Sequence, residues 1–264
     1  MPDQLTIQGK NALVTGANRG LGAALVDALI ERGAAKVYCG ARDPSALSGM
    51  LHCHGARAQA VQLDMTKEAQ IRDAGARLDD VDLLISNAGV TYMTPLMETT
   101  LEHSRLVMET NFFGPLQLIY AFAETLRRRR GGFIYILSLA GQLPARGAEI
   151  YSASKAAGAM LGHGARGALP EVAVSLVYPG LMDTDMMAAT PLVKTSPREV
   201  ANRSLDGWLA GQVSVFPDLH AEFTRDALVS QGRDILEDPF SVMGQIGARY
   251  VAARAAVSPA GTAG

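Results

Sequence analysis

Short apolar runs alternate with longer amphipathic stretches over the first two thirds of the chain. Asn11 to Thr15, Lys36 to Gly40, Ala58 to Leu63, Val81 to Ser86, Phe133 to Ser138 and Val172 to Tyr178 are short and rich in aliphatic or β-branched residues, as expected of strands buried on both faces. Longer segments with helical spacing lie between them, among them Leu21 to Arg32 and Leu101 to Arg130. This alternation predicts an α/β domain built from βαβ units, with a doubly wound parallel sheet of at least six strands and helices on both faces. A (β/α)₈ barrel would need eight strand–helix units, which the pattern does not supply. The single domain is expected over residues 1–257. The end of the chain, Ser258 to Gly264, has the composition of a frayed tail.

Composition narrows the function classes. Of 264 residues, 48% are hydrophobic and 19% charged, an ordinary globular balance. Lys and Arg number 24 against 26 Asp and Glu, a formal charge of −2. That leaves no electrostatic footprint for nucleic acid or an anionic membrane, and neither partner is expected. Two cysteines, Cys39 and Cys53, give no disulfide framework and fit a reducing compartment. The opening MPDQLTIQGK has no signal-peptide core, and no apolar run approaches the ~18 residues of a membrane span. A cytoplasmic protein is expected. Leu51-His52-Cys53-His54 invites a metal reading, but adjacent residues converge poorly on one ion and no spaced CxxC or HxxxH completes a set, so no metal is expected. Arg127 to Arg130, just before Gly131-Gly132, reads as a helix end complementing its dipole.

Two constellations carry chemistry. After the first strand come Thr15-Gly16-Ala17-Asn18-Arg19-Gly20-Leu21-Gly22 and then an amphipathic segment. Glycines at a strand-to-helix turn let backbone approach a pyrophosphate at the positive helix N-terminus, the first step of a Rossmann-type fold. Further on, Tyr151 and Lys155 are four apart and share a face if helical. An ammonium near a phenol favours phenolate and lowers the tyrosine pKa toward a general acid's working range. Ser138 ends a strand thirteen residues earlier, where its hydroxyl could bond a substrate carbonyl.

These motifs, in this order, resemble the short-chain dehydrogenase/reductase family, in the branch marked by TGxxxGxG and YxxxK, over about residues 8–185. Ser86-Asn87-Ala88-Gly89 resembles the family's NNAG with Ser for the first Asn. Asn111 in ETNFFG matches the asparagine of a catalytic tetrad completed by Ser138, Tyr151 and Lys155. Pro179-Gly180 with Thr184 matches PGxxxT, which in the family contacts the nicotinamide end. Asp64, followed by Met65, matches the adenine-side residue. The resemblance therefore implies cofactor contacts from Gly16, Asn18, Arg19, Gly20, Leu21, Gly22, Arg42, Asp64, Met65, Asn87, Ala88, Gly89, Tyr151, Lys155, Pro179, Gly180 and Thr184. In the implied reduction, Tyr151 donates a proton to the carbonyl oxygen and Ser138 orients that oxygen. Lys155 lowers the Tyr151 pKa and holds the nicotinamide ribose, while Asn111 anchors a water leading to solvent.

The cofactor implied is NADP(H). NAD-preferring relatives end the second strand with an acidic residue for the ribose, but Ala41 stands there and Arg42 follows. Arg19 lies inside the glycine turn, and two guanidinium forks could converge on a 2′-phosphate. Asp43, two places beyond Ala41, lies too far along to be the first choice for the ribose. Tyr92, Met93, Leu139, Leu143, Leu181, Met182 and Met186 follow strand ends on the ligand side and are expected to line a pocket for a hydrophobic ketone or aldehyde. Met93, Met97, Met182, Met186 and Met187 would serve equally as core filling. Twelve residues separate Ser138 from Tyr151, leaving no room for the insertion that accompanies monomeric relatives, so a homodimer or homotetramer is expected. A β-ketoacyl-thioester reductase would share every motif. A non-catalytic NADP(H)-binding redox sensor would be expected to have lost the tyrosine or lysine. Beyond residue 185 the chain leaves the family's GxxxxVDGG-like pattern, with Gly211 to Asp218 and a helix-like stretch to about Glu237.

Overall fold

The computed structural model describes residues 5–185 and 192–257. Seven parallel strands form one sheet: β1 (Asn11–Thr15), β2 (Lys36–Ala41), β3 (Ala58–Gln62), β4 (Leu83–Ser86), β5 (Gly132–Ile136), β6 (Ala173–Val177) and β7 (Ser214–Val215), in the order β3-β2-β1-β4-β5-β6-β7. Six occur where the apolar runs predicted them. The seventh is only two residues long, too short for a periodicity signal.

Neighbouring residues on each strand face opposite layers, as the pleat requires. Val14, Ile85 and Ile134 point to α1 (Gly20–Glu31) and α7 (Pro197–Leu209), where they meet Leu25, Leu29, Leu205 and Trp208. Leu13, Leu84, Phe133 and Tyr135 point to α3 (Glu68–Arg77), α5 (Gly114–Arg129) and α6 (Glu149–Ala168), against Ile71, Phe122, Leu126 and Ala159. Two covered faces explain why the strands read as continuous apolar runs.

The segment from Leu101 to Arg130 is not one uniform helix. It runs as α4 (Leu101–Met108), a π-helical turn at Glu109–Phe113, and α5. Pro115 lacks the N–H that would ordinarily close on the Asn111 carbonyl four residues back. The Tyr135 hydroxyl donates to that carbonyl instead, at 2.6 Å. The arginines at the end of α5 bond locally, Arg127 to the Ala168 carbonyl, Arg128 to that of Asp79 and Arg129 to the Asp82 carboxylate.

After β7 come α8 (Leu219–Ser230), α9 (Gly232–Glu237) and α10 (Pro239–Val257). Their apolar residues Ala227, Val242 and Ile246 bury Leu143, from the loop between β5 and α6. No helix among the described residues is long and apolar enough to cross a membrane.

Candidate active site

The strand order reverses direction at β1 and β4, whose carboxyl ends open a crevice of the kind that holds ligands in such sheets. Thr15 and Asn87 stitch this crevice together. The Thr15 hydroxyl accepts the backbone N–H groups of Asn87 and Ala88, at 3.0 and 2.9 Å. In return, the Asn87 carboxamide donates to the Thr15 carbonyl at 2.9 Å and the Gly16 carbonyl at 3.3 Å. The glycine turn is thus held against the end of β4.

Two glycines in that turn are required by space. Gly16 has φ +66°, and a Cβ there would stand 3.0 Å from the Ala88 Cα. A Cβ on Gly22 would stand 2.0 Å from the Gly16 carbonyl oxygen. Just above, α1 begins at Gly20 with no acidic residue in its first turn, so its N-terminal N–H groups present a positive end to an anion. This narrow, positive cradle fits the pyrophosphate of a dinucleotide. Asn18 and Arg19 are exposed on its rim, while Leu21 is buried beneath it.

Where the adenosine is expected, Arg42 is exposed just beyond β2. Asp43 is engaged elsewhere, accepting the Ser45 N–H at 2.9 Å. Arg19 pairs with Asp185 at 2.6 Å, both side chains being largely in solvent. Asp64 accepts both the N–H and the hydroxyl of Thr66 on one carboxylate oxygen. Met65 is buried.

The residues expected to react lie just beyond β5 and in the first turns of α6. The Ser138 side chain faces the Tyr151 hydroxyl. Burial pushes the phenol above its ordinary pKa, and the Ser138 side chain pulls it back. Lys155, one helical turn on, is buried, and that burial lowers its ammonium to about 8. Its Nζ donates to the Ile136 carbonyl at 3.0 Å and lies 5.7 Å from the centre of the Tyr151 ring. Gly89 opens toward it: a Cβ there would stand 3.5 Å from Nζ.

Asn111 is fully buried, and its carboxamide is already engaged. It donates to the Val90 carbonyl at 2.9 Å and to the Ser154 hydroxyl at 3.0 Å, and accepts the Val90 N–H at 2.9 Å. It therefore ties the Asn87–Val90 segment to α6. Ser154 and Tyr135, which complete this network, carry no motif of their own. Tyr135 shows in the sequence only as a hydroxyl inside an apolar run, and Ser154 only as one of two serines beside Lys155.

The pocket candidates separate. Tyr92 stacks on His103 at 4.1 Å, and Met93 is exposed. Leu181 and Met182 are half-buried beyond the Pro179-Gly180 turn, alongside Thr184. Leu139 and Leu143 are buried, Leu139 in the core below β5 and Leu143 beneath the C-terminal helices. Met186 and Met187 lie outside the described residues. Of the His52-Cys53-His54 group, His54 turns to Asp27 at 2.7 Å and Cys53 is exposed.

Comparisons with known proteins agree with this geometry. Residues 10–193 match the family described as short chain dehydrogenase. The 3-oxoacyl-acyl-carrier-protein reductase FabG of Escherichia coli K12 is 33% identical over 195 residues, 70% of this chain and 78% of its own. A short chain dehydrogenase from Burkholderia cenocepacia J2315, solved in complex with NADP, is 37% identical with a TM-score of 0.83, covering 88% of this chain and 97% of that one. A short-chain dehydrogenase from Sphingobium yanoikuyae, solved with NADPH, is 26% identical with a TM-score of 0.75, covering 87% and 96%. The chain belongs to the short-chain dehydrogenase family and is an oxidoreductase built around a nicotinamide dinucleotide site.

Proposed function

We propose that the protein interconverts a ketone or aldehyde and its alcohol with NADP(H), on a hydrophobic small molecule. The observation that carries this reading is the Ser138–Tyr151–Lys155 cluster, standing beside a glycine cradle whose adenosine end carries two arginines and no free second-strand carboxylate. When bound, the cofactor supplies or accepts the hydride.

The chain's own residues supply position and a proton. Tyr151 Oη gives a proton to the carbonyl oxygen in reduction and takes it back in oxidation. Ser138 holds the same oxygen by a hydrogen bond. Lys155, an ammonium below about pH 8, stabilises the phenolate left after transfer and would bond the nicotinamide ribose. Asn111 fixes the backbone of residues 87–90 against α6, so that Lys155 faces an ordered wall. Gly16, Gly20, Gly22, Asn87, Ala88 and Gly89 hold the dinucleotide's middle. Asp64 and Met65 flank its adenine, and Arg19 and Arg42 take the 2′-phosphate. Pro179, Gly180 and Thr184 border its nicotinamide end. Tyr92, Met93, Leu181 and Met182 give the substrate an apolar approach.

Assembly and location follow the same reading. Leu101, Phe113 and Tyr120, from α4 to α5, and Met160 on α6 are exposed apolar side chains. A homo-oligomer that pairs these helices would cover them. The cysteines, Cys39 buried and Cys53 free, suit a cytoplasmic protein.

The relative FabG favours a second reading, reduction of a β-ketoacyl thioester. A panel of aryl and alicyclic ketones, polyols, short keto acids and an acetoacetyl thioester, followed by NADPH consumption or formation, separates the two. Fastest turnover of a hydrophobic ketone supports the proposal. Fastest turnover of the thioester supports the second reading, and preference for a polyol or keto acid contradicts both. Retention of Tyr151 and Lys155 argues against a sensor without turnover, as would any measured conversion.

A further inference from the structure

The helices beyond the family match, which ends at residue 193, return to the segment that follows β6 at three points. Asp218, fully buried at the head of α8, accepts the Ala221 N–H at 2.9 Å and so caps the helix. Its other oxygen accepts the Gly180 N–H at 2.7 Å. Contact there is close: a Cβ on Gly180 would stand 2.7 Å from Asp218 Oδ1 and 2.8 Å from His220 Cβ.

The chain leaving that turn closes on Thr195. The Thr195 N–H donates to the Leu181 carbonyl and the Asp183 N–H to the Thr195 carbonyl, both at 2.9 Å. Thr195 is buried, and its hydroxyl accepts from Arg254 at 3.1 Å. Tyr250, a turn earlier on α10, donates to the Val193 carbonyl at 2.7 Å and stacks on His220 at 5.0 Å. From the other side, the Leu139 N–H donates to the Pro179 carbonyl at 3.1 Å, so the same turn touches the loop that begins at Ser138.

We infer that Asp218, Tyr250 and Arg254 are positioning residues that set the 179–184 turn, and with it the nicotinamide end of the bound cofactor, against Ser138 and Tyr151. The inference rests on reading Pro179, Gly180 and Thr184 as the nicotinamide border. An α8 cap or an α10 staple acting only on stability would lower the folded fraction and leave each folded molecule unchanged. A positioning role alters the nicotinamide end alone.

The test compares two ligands in the full-length protein. Bound NADPH reports the nicotinamide environment through its fluorescence, whereas adenosine 2′,5′-bisphosphate reaches only the adenosine end. Asp218→Asn leaves one acceptor for two backbone N–H groups, and Tyr250→Phe removes only the hydroxyl. Both should change the emission of bound NADPH and reduce kcat, by about tenfold or more for Asp218→Asn, since small misplacements at a reacting centre cost that much. Affinity for adenosine 2′,5′-bisphosphate should stay within about twofold in the folded fraction, on the same argument that only the nicotinamide end moves. Equal losses for both ligands, or unchanged emission and kcat in both variants, would overturn the inference. If Asp218→Asn does not fold, Tyr250→Phe decides by the same criteria. Gly180→Ala separates the two layers of the argument. If it shifts the emission while Asp218→Asn and Tyr250→Phe do not, the nicotinamide reading stands and the positioning role falls. If none of the three does, both fall.

Discussion

The two ends of the cofactor cleft are fixed by different means. At the pyrophosphate end the ties run between neighbouring strands at the middle of the sheet: Thr15 to Asn87 and Ala88, and Asn87 back to Thr15 and Gly16. At the Pro179-Gly180 end they come from helices beyond the sheet's last strand, through Asp218, Tyr250 and Arg254. The first arrangement follows from the parallel pairing of β1 with β4 and leaves little latitude to the sequence. The second depends on how the C-terminal helices pack, and can vary while the sheet stays the same. This division matches the chemistry: a shared dinucleotide at one end, and a hydride acceptor or donor that differs between enzymes at the other.

The largest effect is expected where the central ties allow no extra atom. Gly22→Ala places a methyl group 2.0 Å from the Gly16 carbonyl oxygen, so the glycine turn must move. Calorimetry should find NADPH binding weakened at least ~100-fold, because backbone this close to the ligand transmits the shift directly. Binding within a few-fold of wild type would show that this end is more pliant than its hydrogen bonds imply.

The next effect discriminates within the adenosine end. A charge-assisted hydrogen bond is worth roughly 1.5–3 kcal/mol, so Arg42→Ala should weaken NADPH about 10–100-fold and leave NADH nearly unchanged. Steady-state kinetics with both cofactors checks it, and equal losses for both would remove Arg42 from the phosphate site.

A pH effect should follow at the reacting end. Lys155 is lowered by burial to about 8. Its ammonium is complete well below that pH and lost above it, so kcat/KM for reduction should be flat on the acid side and decline as pH rises past about 8. Lys155→Arg, which retains its charge, should move the break upward whatever its rate. An identical break in both proteins would assign it to another group.

The smallest effect concerns Arg19. Its pair with Asp185 is solvent-exposed, a kind worth about 0.2–1 kcal/mol. Asp185→Asn should free the guanidinium for the cofactor phosphate and tighten NADPH by about 1.5- to 5-fold. Weaker NADPH binding would mean that Asp185 helps to hold Arg19 in place for the phosphate.

Much of this architecture was legible in the chain. Six strands and the Tyr151–Lys155 pair announce themselves through their periods, while the glycine turn and Ser138 are legible through their place in an ordered set of motifs. The π turn at Asn111 was not legible, since it depends on Pro115 lacking a donor and on Tyr135 supplying one from another strand. Strand β7 is too short to show alternation. Asp218 looks like an ordinary helix cap in sequence. Its bond to Gly180 spans 38 residues and appears only once β6 and β7 lie side by side. Leu143 follows the end of a strand and so read as pocket lining. It is buried because α8 and α10 cover it; the helix-like stretch to about Glu237 announced the first, but nothing in the apolar pattern announced α10 or where either packs.

In the proposed reaction Tyr151 delivers the proton to a carbonyl oxygen during reduction by NADPH. This step is tested most directly by incubating wild-type protein and Tyr151→Phe with 4-deuterated NADPH and an aryl ketone, and following deuterium into the alcohol. The substitution keeps the ring and removes the acid, a contribution worth about 10²–10⁴-fold. Deuterium is expected on the carbinol carbon with wild-type protein, with a rate at least ~100-fold lower for Tyr151→Phe and little change in NADPH binding. A variant that retains more than about a tenth of the wild-type rate, well short of that range, would contradict it.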